Sequence, residues 1–294
     1  MLIRGGPFAN ISHGGNSIIA TKMALKLGDY VITEGGFGAD LGAEKFLDIK
    51  CRTAGIWPDA VVIVATVRSL KYNAGIPKAE LNAPNPDAVR RGFANLGKHI
   101  ENMLAFGIPC VVGGNRFHTD TQEELDIIRD LCAEKGVRFA PAEIFAKGGE
   151  GGIEMAKVVL QAMEENQSAK SPKYTYELSD APEEKIRLIA TKIYGAADIH
   201  ILPEAAEKLR SFEKLGFGGL PICIAKTQYS LSDDQKALGR PSGFTLTIRD
   251  VWLSAGAGYL VVLTGTIVTM PGLPPKPAAE SITMNADGVI EGLF

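Results

Sequence analysis

The stretch TEGGFGADLGAEKF at residues 33–46 follows the apolar run YVI at 30–32 and ends in a charged, helix-like segment. An apolar run that breaks into a glycine-rich turn is typical of an α/β protein that presents backbone amides at the carboxyl edge of its sheet. The glycines let the backbone approach a ligand closely, and the carboxylates of Glu34 and Asp40 can orient a cation or a substrate amine. The alternative is a glycine-rich corner between strand and helix whose acids are merely solvated.

The chain around this stretch alternates apolar strands with amphipathic helices. The run AVVIVATV at 60–67 is rich in β-branched residues and is typical of a strand covered on both faces. Four strand-loop-helix units predict an α/β fold with a doubly wound, mostly parallel sheet that binds ligands over the carboxyl edges of its strands. The predicted strands are 30–32, 60–67, 109–113 and 137–140. The predicted helices are 17–27, 87–106 and 153–164. A further helix is predicted to begin at a cap, Thr119 or Thr121, and to run to about residue 135.

Composition changes at ENQSAKSPK, residues 165–173, which predicts a linker or domain edge. We therefore divide the chain into an α/β domain at 1–167 and a smaller α+β domain at 168–294. In the second domain, helices are predicted at 181–194 and 203–215 and strands at 221–225, 244–253 and 259–266, with SAGAG as a hairpin connection.

Composition excludes several classes of function. The chain has 294 residues, 46% of them apolar, and a formal net charge of -3, which provides no general attraction for nucleic acid or an anionic membrane. No apolar run approaches the roughly 18 residues of a membrane span. The four cysteines form no CxxC pair and the four histidines have no metal-ligand spacing, so we predict no metal site built from them and a reducing, cytoplasmic location.

Four long segments resemble formate-tetrahydrofolate ligase, and the resemblance covers the whole chain. They are GGPFANISHG at 5–14, the opening stretch, VATVRSLKYNAG at 64–75, and MPGLPPKPAAESITMNADGVIEGLF at 270–294. The resemblance implies a sheet domain of the phosphate-loop nucleotidase type. The family enzyme is nearly twice as long and carries in its amino-terminal half a phosphate loop ending in Gly-Lys-Thr, whereas this sequence contains no GxxxxGK[ST]. We therefore expect the carboxyl-terminal half of such an enzyme, a fragment or half enzyme that is inactive alone and needs the missing amino-terminal half in trans.

The resemblance also implies the chemistry. The family joins formate to tetrahydrofolate with ATP, bound with Mg²⁺, through a formyl phosphate intermediate; a monovalent cation is a further candidate cofactor, and a homo-oligomer is expected. The turn at 35–41 is the candidate clamp on formyl phosphate, with Glu34, Gly36, Gly38 and Asp40 as the candidate catalytic residues. The alternative is a non-catalytic folate-binding or assembly module derived from the same enzyme.

By the same resemblance, Phe117 and Phe145 are the candidate walls of a pterin site, because a flat heteroaromatic ring gains from stacking between aromatic side chains. Leu41, Arg68 and Lys71 complete the predicted folate site. This sequence departs from the family pattern at position 145, where bacterial members usually carry tryptophan. It departs also at His118, where proline is common, and at Ser69 and Ala74, where alanine and glycine are usual.

Each of these assignments has a structural alternative. Both rings can simply belong to the core. Arg68 and Lys71 can form ion pairs with Glu34 or Asp48.

The nucleotide site is predicted from three loops. Asn115 follows an apolar strand, as base-reading residues do in phosphate-loop nucleotidases, or it caps its own turn. Lys226 and Ser230 lie in the hydroxyl-rich segment AKTQYSLSDD at 225–234, and Pro271 opens the extended loop PGLPPKP at 271–277. Rigid surface loops are the alternative for the last two segments.

Overall fold

The computed structural model describes residues 9–165, 171–265, 267, 275–286 and 290–292. The helices are α1 (Ile18–Leu27), α2 (Arg52–Ala54), α3 (Val67–Asn73), α4 (Pro86–Ala105), α5 (Gln122–Glu134), α6 (Ile144–Lys147), α7 (Ile153–Glu165), α8 (Pro182–Leu188) and α9 (Pro203–Lys214). The strands are β1 (Val61–Ala65), β2 (Cys110–Asn115), β3 (Arg138–Ala142), β4 (Asp198–Ile201), β5 (Ile222–Ala225), β6 (Thr245–Ser254), β7 (Tyr259–Thr264), β8 (Thr283–Met284) and β9 (Ile290–Glu291). Short 3₁₀ helices are Ala9–Ile11, Lys78–Glu80, Gly148–Gly152 and Ala278–Glu280.

The first sheet is parallel, in the order β1-β2-β3, as the alternation of strands and helices predicts. Helices lie on both of its faces, although one face of β1 is left exposed. On one face α4 packs against β1 and β2, and Ile63 and Val112 lie in the same apolar core as Ile100 of α4. On the other face α7 is so close to β2 that a side chain at Gly113 would meet Sδ of Met155 at 2.8 Å. The predicted α/β class is therefore confirmed.

The second sheet is mixed, in the order β4-β6-β7-β5. The predicted hairpin is present: β6 and β7 are antiparallel and joined by a turn at 255–258, while β5 pairs with β7 in parallel. β4 was not predicted from the sequence, because DIHI is short and carries two polar residues among four. The predicted helix at 181–194 is α8 continued by wide, π-type turns over Ile189–Tyr194.

Two predicted helix starts are confirmed by their caps. Ser17 accepts a hydrogen bond from the amide of Ala20 at 3.1 Å and begins α1. Thr121 rather than Thr119 caps α5, and it does so in a capping box with Glu124, whose carboxylate accepts the Thr121 amide at 3.0 Å.

The strand predicted at 30–32 is absent. A strand needs a partner for its backbone groups, and no described segment pairs with this run. Ile32 is consequently 97% exposed. The prediction that the run 60–67 is covered on both faces is also wrong, since Val62 and Val64 of β1 are exposed at the edge of the first sheet.

Residues 39–54, which we call the buried helix, follow the glycine-rich stretch. They comprise the wide turns Ala39–Ala43 and Phe46–Cys51 and then α2. The main apolar core takes side chains from both sheets and from this helix, so the predicted division at 167/168 remains a prediction. Part of the predicted linker, residues 166–170, lies outside the described residues. No helix in the described part of the chain has the length and apolar character needed to cross a membrane.

Candidate functional site

Two aromatic rings lie at the carboxyl edge of the first sheet. Phe117 follows β2 and Phe145 follows β3, and these strands are held in register to their ends, where Asn115 pairs with Ala142. The Arg116 amide donates to the carbonyl of Ala142 at 2.9 Å and extends the pairing beyond β2. Phe117 is 36% exposed and Phe145 is fully exposed. Neither ring is a core residue, which removes the alternative that the sequence left open.

The loop that carries Phe117 is closed by its own hydrogen bonds. The carboxylate of Asp120 accepts the Phe117 amide at 2.8 Å, and the Asp120 amide donates back to the Phe117 carbonyl at 3.0 Å. Burial raises the pKa of Asp120, and the hydrogen bond from the Phe117 amide opposes that rise. The backbone of Phe117 is therefore fixed while its ring remains open to solvent.

Arg68 lies beside this ring. Its guanidinium carbon is 5.6 Å from the centroid of Phe117, within the range of a cation-π contact. Arg68 is the second residue of α3, directly after the carboxyl end of β1. We call Arg68, Phe117 and Phe145 the ring group; its members follow β1, β2 and β3 at one edge of the sheet.

Lys71, predicted to bind folate, is buried instead. Its ammonium forms an ion pair with Glu124 at 2.6 Å and donates to the carbonyls of Ala83 at 2.8 Å and Leu81 at 3.4 Å. These three acceptors use all of its three protons. The partner is Glu124, not the Glu34 or Asp48 that the sequence suggested. Lys71 thus ties α3 to the start of α5 and has no donor left for a ligand.

The turn at 35–41, which we call the glycine turn, is packed against its own surroundings. The Gly36 amide donates to the carbonyl of Gly14 at 3.1 Å, and the amides of Leu41 and Gly42 donate to the carbonyl of Gly38 at 3.0 and 2.9 Å. A side chain at Gly42 would lie 2.6 Å from the nitrogen of Gly36. The glycines therefore allow the turn to fold onto the buried helix.

Phe37 is the functional candidate that the sequence analysis missed. Among the described residues it is the only non-glycine with a positive φ, 64°, and its ring is partly exposed. A bulky residue held in the left-handed region is strained, and such strain is concentrated at functional sites. The available signal was its position between Gly36 and Gly38, where the chain must turn tightly.

Asp40 is buried below the glycine turn and forms an ion pair with Lys226, its Oδ2 lying 3.0 Å from Nζ. Burial raises the pKa of Asp40, but the nearby charges of Lys226 and His99 outweigh it and hold that pKa below its ordinary value. Burial lowers the pKa of His99, and Nδ1 of His99 has no hydrogen-bond partner among the described residues. In this structure the Asp40 carboxylate is therefore the buried partner of Lys226 and is not exposed to a cation at the surface.

Of the predicted nucleotide-binding residues that the structure describes, Lys226 and Ser230 are buried and Asn115 is half-buried. Lys226 is fully buried and donates to the carbonyl oxygens of Thr227, at 2.9 Å, and Ser230 in addition to its ion pair. The Ser230 hydroxyl donates to the carbonyl of Ala237 at 2.6 Å. Asn115 is the last residue of β2 and is half-buried, and Pro271 lies outside the described residues. Their contact with a nucleotide stays a prediction.

Two further predicted residues flank the glycine turn. Leu41 is fully buried, so the structure offers no surface of it to a folate, and Glu34 is exposed. In the described ranges no cluster of three metal-ligating side chains could hold a metal ion.

The ring group and the glycine turn lie near the same long helix, α4. Near its start the Asn85 amide donates to Glu124 of α5 at 2.8 Å, and α5 begins five residues after Phe117. Farther along the helix, His99 borders Gly38. The structure therefore contains two candidate groups: exposed rings with a cation, and a strained glycine turn anchored on a buried ion pair.

Comparison with known families gives one finding. The family model described as formate-tetrahydrofolate ligase matches residues 1–294, the whole chain.

Proposed function

This chain belongs to the formate-tetrahydrofolate ligase family, whose members join formate to tetrahydrofolate with ATP, and on that premise we propose that its ring group binds the pterin of tetrahydrofolate. The observation that carries the proposal is the exposure of Phe117 and Phe145, which follow the neighbouring strands β2 and β3. Large aromatic side chains at one sheet edge that are open to solvent, with the Arg68 guanidinium beside Phe117, suit a flat heteroaromatic ligand. Arg68 can add a positive charge for an anionic part of the same ligand.

We further propose that the glycine turn holds formyl phosphate. In this reaction a formate oxygen attacks the γ-phosphorus of ATP and ADP leaves; the amine of tetrahydrofolate then attacks the carbonyl carbon and phosphate leaves. Gly36 and Gly38 carry no side chain that would compete with the charged oxygens, and backbone amides of the turn other than that of Gly36, which donates to Gly14, would stabilise them. Glu34 is the exposed carboxylate nearest in sequence to receive the amine proton. The strain at Phe37 supports a functional role for this turn.

Binding of ATP with Mg²⁺ requires a phosphate-binding loop and a free lysine, which these residues do not supply. The sequence has no GxxxxGK[ST], and both Lys71 and Lys226 have their protons committed inside the protein. We propose that a chain carrying the phosphate loop acts in trans in the cytoplasm, and that copies of this chain also associate with one another as a homo-oligomer. A monovalent cation is a further candidate cofactor. Without that chain no 10-formyltetrahydrofolate should form from formate and ATP; sustained turnover by the purified chain would contradict this.

The alternative is a folate-binding or assembly module that takes no part in catalysis. It shares the pterin site and lacks the ATP chemistry. Adding a second chain with the phosphate loop distinguishes the two functions, since only the half enzyme should then turn over.

The pterin site is tested by calorimetry of tetrahydrofolate binding to the wild type and to Phe117→Ala and Phe145→Ala. Each change removes a stacking surface of about 1 to 1.5 kcal/mol, so binding should weaken roughly tenfold. Phe145→Trp should tighten binding by enlarging that surface. Leu215→Ala is the matched control, because Leu215 is an exposed apolar residue in the part of the chain from residue 171 onward that carries the second sheet, which we call the second unit.

Stability measurements separate binding from folding. Phe145 is fully exposed, so Phe145→Ala should leave the free energy of unfolding within about 0.5 kcal/mol of the wild type. If the wild type binds no tetrahydrofolate, or if both alanine variants bind it like the wild type, the pterin site is wrongly assigned.

A further inference from the structure

The ion pair between Lys226 and Asp40 joins two distant parts of the chain. Lys226 follows β5 in the second unit, whereas Asp40 lies in the first turn of the buried helix, two residues after Gly38. Both side chains are excluded from solvent. A buried ion pair is weak evidence for stability, because the cost of removing two charges from water offsets their attraction. We therefore look for a role of the Lys226–Asp40 ion pair other than stability.

Lys226 is rigidly held on every side. Its amide donates to Oδ1 of Asn10 at 3.1 Å, and Nδ2 of Asn10 donates to its carbonyl at 3.0 Å. Its ammonium contacts Asp40, two backbone carbonyls and, at 5.0 Å, the ring of Tyr194. Three acceptors satisfy the three ammonium protons. Lys226 is therefore a fixed point, and the carboxylate of Asp40 is positioned against it.

Asp40 belongs to the last part of the glycine turn, and its carboxylate lies directly against Gly38. Its Oδ1 would be 2.5 Å from a side-chain carbon at Gly38, so the carboxylate occupies the space that any larger residue would need. The carbonyl of Gly38 accepts the amides of Leu41 and Gly42, the residues that follow Asp40. A displacement of Asp40 would move Gly38 and release the left-handed conformation at Phe37. The position of the carboxylate and the shape of the turn are thus coupled.

We propose that Lys226 is a positioning residue: through Asp40 it holds the glycine turn in its strained conformation, so that the second unit controls the amides of the turn. Its importance for catalysis rests on the proposed function of the turn. Lys226 and Asp40 then act behind the ligand site and touch neither nucleotide nor formate.

Hydrogen exchange of backbone amides, followed by mass spectrometry on the full chain, tests this proposal. Lys226→Met removes the charge while keeping a long side chain, and Asp40→Asn removes the partner charge at nearly constant size. In both variants peptides covering residues 35–42 should exchange at least about tenfold faster than in the wild type, whereas β2 should exchange at its wild-type rate.

Lys185→Met is the matched control. Lys185 is also a buried lysine of the second unit and donates to the carbonyls of Gly218 at 2.8 Å and Leu220 at 3.1 Å, away from the glycine turn. Its loss should lower stability without faster exchange at 35–42. If Lys226→Met and Asp40→Asn change exchange everywhere or only as much as this control, the pair is merely structural and the proposal is overturned.

A second measurement, the affinity for acetyl phosphate as a probe for formyl phosphate, distinguishes a failure of the positioning role from a failure of the proposed function of the turn. Faster exchange together with at least tenfold weaker acetyl phosphate binding supports both positioning and the proposed function. If the variants exchange faster but the wild type binds no acetyl phosphate, the positioning role is supported and the proposed function of the turn is contradicted. Should Lys226→Met fail to fold, Asp40→Asn decides the result alone.

Discussion

At the scale of single residues, Gly14 and Gly42 show how closely the glycine turn and its neighbours pack. Gly14 has a φ of 85°, and a side chain there would collide with the carbonyl oxygen of Gly42 and the backbone nitrogen of Phe46. A side chain at Gly42 would meet the backbone of Gly35 at 2.8 Å. Backbone atoms cannot move aside as a flexible side chain can. Both positions therefore require glycine for close packing, independently of any ligand.

We expect Gly42→Ala to destabilise the protein by about 3 kcal/mol, the upper range for overpacking, because its new methyl group collides with backbone. Denaturation with urea measures the loss. Gly149→Ala is the control, since no atom lies within 4 Å of a side chain at Gly149 and its φ is not positive. Its stability should stay within about 0.5 kcal/mol of the wild type. Equal stability of both variants would show that the turn can open without cost.

The glycines and both exposed rings were identified from the sequence, but the burial and pairing of the two lysines were not. Lys71 and Lys226 stand at strand ends, where ligand-binding cations are common, and nothing nearby in the sequence marks them as buried. Their partners, Glu124 and Asp40, lie in distant segments that meet them only after folding. Local patterns predict which residue types reach a sheet edge, whereas ion-pair partners depend on the tertiary fold.

At the scale of elements, the buried helix carries acids at every fourth position: Asp40, Glu44 and Asp48. Neither carboxyl oxygen of Glu44 has a hydrogen-bond donor among the described residues. Oδ1 of Asp48 accepts the Thr175 amide at 2.9 Å. Burial, and then the adjacent charge of Asp48, raise the pKa of Glu44 well above its ordinary value. The two carboxyls can hydrogen-bond to each other only when one is protonated, so we infer that Glu44 carries a proton.

This proton should make stability depend on pH. Because the pKa of Glu44 is raised in the folded protein, its contribution is fully present below the unfolded value of about 4.5 and is lost as pH rises through the folded pKa. The loss is at most about 1.4 kcal/mol per pH unit for one proton. Other charged or titratable groups near Glu44 are Lys45, Asp40, Tyr176, Tyr194 and Cys223.

Urea denaturation between pH 5 and pH 9 tests the prediction. The wild type should lose stability with rising pH, and Glu44→Gln, which stays neutral, should flatten that dependence. Glu164→Gln is the control, because Glu164 is exposed on α7. Parallel profiles for the wild type and Glu44→Gln would mean that Glu44 is ionised in the folded state.

At the scale of the whole molecule, the sequence predicted the alternation of strands and helices well, and it failed where an element depends on a neighbour. The run at 30–32 has the composition of a strand but pairs with no described segment. The same holds for the outer face of β1. Apolar composition indicates that a segment can be buried. Which other segment covers it depends on the tertiary fold.

The outer edge of β1 leads to the last prediction. β1 pairs only with β2 in the part of the chain that the structure describes, so its other edge offers unpaired backbone groups beside the 69% exposed side chain of Val64. Apolar edges of this kind pair with other chains. We expect the purified chain to self-associate, and Val64→Lys to weaken that association at least tenfold, because a charge on an edge strand opposes edge-to-edge pairing.

Sedimentation velocity over a range of concentrations measures the effect, with Leu215→Lys as a control at an exposed apolar residue of the second unit. Leu215→Lys should associate like the wild type, since it leaves the β1 edge unchanged. A chain that carries the phosphate loop should compete with self-association if it covers the same edge, and it should then bind Val64→Lys more weakly than the wild type. A wild type that remains monomeric at every concentration would mean that the β1 edge is not an association surface.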